Sequence, residues 1–161
     1  MRTARWMRRT AATAVVAALL VSNSAMAQNC AAPDDVRALQ VRVLQTELMV
    51  AALSCQQQDP YNAFVVRFQP TLAVHGKALK AFFKRIYGGS ATAQLDDFVT
   101  RLANEASLRG MRDLRNFCGA SLELFKTIEA VDDTALETFV GGWERRDAHG
   151  VLPCVQQAAN P

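Results

Sequence analysis

Four cysteines, at positions 30, 55, 118 and 154, constrain what this chain can fold into more than any other feature. The two closest, Cys30 and Cys55, are 25 positions apart. Zinc sites usually draw their ligands from short-spaced pairs, and the histidines are only His75 and His149, far apart in sequence. There is no C-x-x-C redox motif and no C-x-x-C-H haem attachment. No metal and no cofactor is therefore expected. An even cysteine count reads instead as two disulfides, provided that the chain reaches an oxidising compartment.

The first 27 residues point to such a compartment. Met1–Arg9 is short and positive, Thr10–Val21 is nearly all apolar, and Ser22–Ala27 is small and ends in Ala25-Met26-Ala27. A charged start, an apolar middle and a small-x-small end make up a cleavable secretory signal, with the mature chain starting at Gln28. The apolar run, about 12 residues, is too short to cross a bilayer as a helix. No lipobox precedes Cys30. The leader also explains the charge. The chain holds 18 Lys and Arg against 15 Asp and Glu, a net +3. Arg2, Arg5, Arg8 and Arg9 belong to the leader, which leaves 14 basic against 15 acidic residues beyond it. A nucleic-acid partner is not expected on that balance. Residues 28–161 form a single domain of ordinary size, with no second run long enough to span a membrane.

Apolar residues recur at helical spacing throughout. Pro33 to about Gln57 reads as one helix, with Pro33 at its first position and Asp34 and Asp35 at the positive end of its dipole. Its middle, Leu48–Leu53, is apolar on almost every side, which predicts a central helix. Asp59-Pro60 starts a second helix that runs to Tyr87 and stops at Gly88-Gly89. Its periodicity persists across Pro70, which predicts a kink. A third stripe runs from Leu95 to Ile128, as one helix or two, with Gly110 or Gly119 as candidate breaks. A short helix spans Asp133 to about Val140. Residues 143–161 read as irregular. No run alternates with period two, so the expected fold is all-α: an antiparallel bundle of four to five helices, with a kinked second helix and two disulfides.

Helix lengths then decide the cysteine pairing. A continuous helix over 33–57 holds Cys30 and Cys55 about 35 Å apart, at about 1.5 Å per residue. A disulfide needs Cα atoms within about 7 Å. Helix two leads away from the end of helix one, and the third stripe returns over a similar length. That brings Cys118 level with Cys55. The expected pairs are Cys55–Cys118 and Cys30–Cys154.

Candidate chemistry is sparse. The chain has no G-x-S-x-G, no Walker A, no G-x-G-x-x-G and no H-E-x-x-H. His75 is a candidate base, but a half-buried, hydrogen-bonded helix histidine is the commoner case. His149, between Ala148 and Gly150, reads as an exposed loop residue. Lys77, Lys80 and Lys84 share a helical face that could meet an anionic surface, lipid or acidic protein. Tyr61, Phe64, Phe68, Phe82 and Phe83 could line an apolar pocket, or simply fill the core. Glu47 interrupts the apolar stretch of helix one. It is read as exposed, with a buried pair to Arg101 as the alternative. The function read from all this is an exported periplasmic helical protein acting non-catalytically through a protein or envelope partner. The alternatives are a carrier or sensor of a small apolar ligand, and an enzyme, such as a hydrolase, without a recognisable motif.

Overall fold

A computed structural model describes residues 30–154. The leader expected over residues 1–27, its cleavage point, and residues 155–161 lie outside the described residues. The fold is all-α. Its helices are α1 Pro33–Cys55, α2 Gln58–Arg67, α3 Gln69–Tyr87, α4 Ala91–Arg112, α5 Leu114–Glu129 and α6 Leu136–Gly142. Short 3-10 turns follow α3, at Gly88–Ser90, and α6, at Arg146–His149. Among the described residues no helix is long and apolar enough to cross a membrane.

The sequence explains most of the boundaries. Pro33 begins α1, and the Asp35 carboxylate accepts the Ala32 N–H at 2.8 Å, satisfying a donor left over at the helix start. Gln56 closes α1 in the left-handed region, φ 57°. The expected kink is a junction at Phe68, where α2 ends and α3 begins. Backbone bonds from Phe68 to Phe64 and from Leu72 to Phe68 carry the ladder across it, while Pro70 supplies no N–H. Counted as one bent rod, α2 and α3 leave five helices. Gly88, at φ 55°, ends α3 in a conformation that other residues rarely adopt.

The third stripe breaks at Asp113, not at either glycine. The Asp113 carboxylate accepts the Asn116 N–H at 3.0 Å and so caps α5. Gly110 lies within α4 for a packing reason: a Cβ there would sit 3.2 Å from the Phe117 ring. The last helix also differs from expectation. It begins at Leu136 and includes both Gly141 and Gly142.

The α1 helix is the axis of the molecule, in contact with the other five helices and with the Arg146–His149 turn. Leu39, Leu44, Leu48 and Ala51 are fully shielded. The core forms two clusters along this axis. One gathers Leu44, Leu48, Phe68, Phe125 and Ile128; the other gathers Leu39, Leu79, Phe82, Phe83 and Phe98. Both expected disulfides are present. Cys55–Cys118 ties α1 to α5 with Cα atoms 5.5 Å apart, and Cys30–Cys154 closes the domain at 4.9 Å. Beside the second, Ala31 and Pro153 form an isolated parallel bridge.

Candidate functional site

A concavity lies where α1, α4, α5 and the chain after α6 meet. It is a groove of about 350 Å³. Residues 117, 120, 121 and 124 share one face of α5 at helical spacing and build one wall. Trp143, Glu144 and Arg145, leaving α6, build the other. Glu47 and Arg109 come from α1 and α4, and Asp113 and Asn116 stand at the α4–α5 corner.

Glu47 is the unusual residue here. It is 8% exposed in the middle of the central helix. It is not the exposed side chain expected from sequence, and its partner is not Arg101. The Glu47 Oε2 is paired with the Arg109 guanidinium, two turns further along α4, because that is where α4 crosses this part of α1. Burial pushes the Glu47 carboxyl above its ordinary range, and the positive charges of Arg109 and Arg145 oppose that shift. Arg109 Nε is itself buried without a hydrogen-bond partner among the described residues. Arg101 instead reaches Glu105 at 3.2 Å and the His149 carbonyl at 3.0 Å, and lies over the Phe98 ring.

The other residues singled out from sequence are scattered. Lys77, Lys80 and Lys84 are exposed along α3. Lys84 donates to the Gly88 carbonyl at 3.2 Å. The five aromatics do not share one pocket. Tyr61, Phe64 and Phe68 pack in the first core cluster and Phe82 and Phe83 in the second, because α2 and α3 diverge at Phe68. The apolar gap beside Phe64 and Phe68 measures about 50 Å³, against roughly 300 Å³ or more for ordinary ligand sites. Phe82 and Phe83 border a separate open groove of about 360 Å³ with Arg101 and His149.

His75 is 7% exposed, and its Nε2 sits 3.0 Å from Glu137 Oε1 on α6. His149 overturns its sequence reading. It is 3% exposed, not a free loop residue, because the Cys30–Cys154 link and the Ala31–Pro153 bridge pull the C-terminal strap onto the bundle. Sequence reasoning also missed Arg109, Trp143 and Arg145. Their only signal was charge and aromaticity beside the chain's predicted helix ends, which does not separate them from surface residues.

No family model, curated protein or solved structure matches this chain. Its geometry and chemistry carry the functional reading.

Proposed function

We propose that this protein is exported to the periplasm through a leader cleaved after Ala27, and acts there non-catalytically through a protein or envelope partner. The two disulfides are compatible with such an oxidising compartment. The observation that supports a partner most is the α4–α5 corner. Leu108 and Met111 near the end of α4 and Leu114 at the start of α5 remain 48%, 74% and 54% exposed there. Large apolar side chains gathered in this way favour a contact surface over a solvated one. The exposed row Lys77, Lys80 and Lys84 supports an anionic envelope surface as the second reading.

The test uses the cell that makes the protein. A photo-crosslinking residue is placed at Met111 and, as a control, at exposed Asn62 on α2. A discrete adduct at Met111 alone is expected, and its loss when Leu108 and Leu114 become Asp. Equal labelling at both positions refutes the corner as the contact. Intact mass of the exported chain should begin at Gln28; a retained leader refutes the processing.

A further inference from the structure

We propose that the groove between α5 and Trp143 binds a small amphiphilic monocarboxylate, its carboxylate held between Arg109 and Arg145 and its apolar body against Phe117, Leu124 and Trp143. This goes beyond the partner surface and does not depend on it.

The argument starts with charge at the floor of the groove. There the Glu47 carboxylate is paired with the Arg109 guanidinium, and Arg145 lines the same groove near enough for its charge to act on Glu47. Arg109 spends one amino group on Glu47. Its remaining N–H donors have no partner among the described residues, and Nε is sealed from solvent as well. The Arg145 side chain is exposed and makes no hydrogen bond or ion pair with any described residue. Both guanidiniums line the groove with N–H donors left over, and a ligand carboxylate would answer them. Guanidinium groups suit this role because their planar forks match a carboxylate edge to edge.

The walls set the rest of the ligand. Phe117 is buried, Leu124 and Trp143 are half-buried, and all three line the groove. Its volume, about 350 Å³, lies at the small end of ordinary ligand sites, roughly 300–1,000 Å³. The rim carries Asp113 and Glu144. Both Asp113 oxygens accept from Asn116, and Asp113 keeps its negative charge. The negative charges of Asp113 and Glu144 act against any anion, and against a doubly charged one such as phosphate more than against a single carboxylate. A single carboxylate on an apolar body is the chemistry that remains.

The chain has two tryptophans, Trp6 and Trp143. In the full-length oxidised chain carrying Trp6→Phe, fluorescence therefore reports this groove. Phenylacetate, cyclohexanecarboxylate and octanoate are titrated, beside phenylacetamide, phenethylamine and inorganic phosphate. At least one carboxylate should give a saturable change with a Kd of about 1 mM or tighter. Phenylacetamide should bind about tenfold more weakly than phenylacetate, as should phenylacetate to the Arg145→Gln variant. The Arg145 side chain is exposed and makes no hydrogen bond or ion pair with a described residue, and the fold of that variant is checked by its unfolding midpoint. No saturable response to any of the three carboxylates up to about 10 mM overturns the proposal. So does equal binding of the amide, or tighter binding of phenethylamine or phosphate.

Discussion

At His149 the fold disfavours the charged form of a histidine. Its Nδ1 accepts the Val151 N–H at 3.0 Å, so that nitrogen carries no proton. Its Nε2 is buried without a hydrogen bond and lies 3.7 Å from Asp147 Oδ1. Burial lowers its pKa below the ordinary 6.5; Asp147 opposes the shift and Arg101 adds to it. Asp97 and Tyr87 line the same groove. Below about pH 6.5 the unfolded chain binds the proton more readily than the folded one. The stabilisation is therefore complete above that pH and fades as pH falls toward the lowered folded value. Urea unfolding between about pH 7.5 and 5 should show wild type losing stability more steeply than His149→Asn. Equal slopes would place the titration elsewhere. Thr46 presents the opposite case, a buried hydroxyl with no partner among the described residues, at 2% exposure. Thr46→Val should raise stability by about 1 kcal/mol, read from the denaturation midpoint; a loss of that size would mean the hydroxyl is satisfied. Neither residue's state was legible in the sequence. A histidine beside a glycine and a threonine within a helix look the same whether buried or exposed, and only the folded strap and the neighbouring helices decide.

At the scale of elements, α1 carries the packing. Leu48 is fully buried among α1's neighbours, whereas Leu53, five positions on, is 69% exposed. Leu48→Ala should cost about 2–5 kcal/mol through lost contacts and a residual cavity. Leu53→Ala should cost less than about 0.5 kcal/mol. Equilibrium denaturation of the two variants checks the contrast, and similar losses would contradict α1 as the central rod. Its centrality could be read from the sequence because Leu48–Leu53 offers no polar face long enough to meet water. The division of α4 from α5 could not. The apolar stripe passes through Asp113 with only some drift, and the break depends on one local carboxylate that caps α5 in place of continuing the helix. Glu47 shows the same limit. Its burial follows from the register of α4 on α1, which no single-helix pattern contains.

On the scale of the whole molecule, the two disulfides close loops of very different size, with sequence separations of 63 and 124. Chain-entropy arguments give about 4 kcal/mol for Cys55–Cys118 and about 5 kcal/mol for Cys30–Cys154. Cys55→Ser with Cys118→Ser should therefore lower unfolding stability by about 4 kcal/mol, with an unchanged helical signal under native conditions. A negligible loss would mean that the core alone suffices. This pairing was legible because it needed only helix lengths and directions. The groove with Glu47, Arg109 and Trp143 needed three elements in register, and so it was not.

The Cys30–Cys154 bond has a mechanical consequence. A tension applied at Cys30 and Cys154 passes through one sulfur–sulfur bond and loads none of the six described helices. The domain is a bead on a string rather than a link in it. Single-molecule stretching of the oxidised chain should show no unfolding step from the bundle. After reduction the 124 intervening positions join the load path and release about 430 Å of contour.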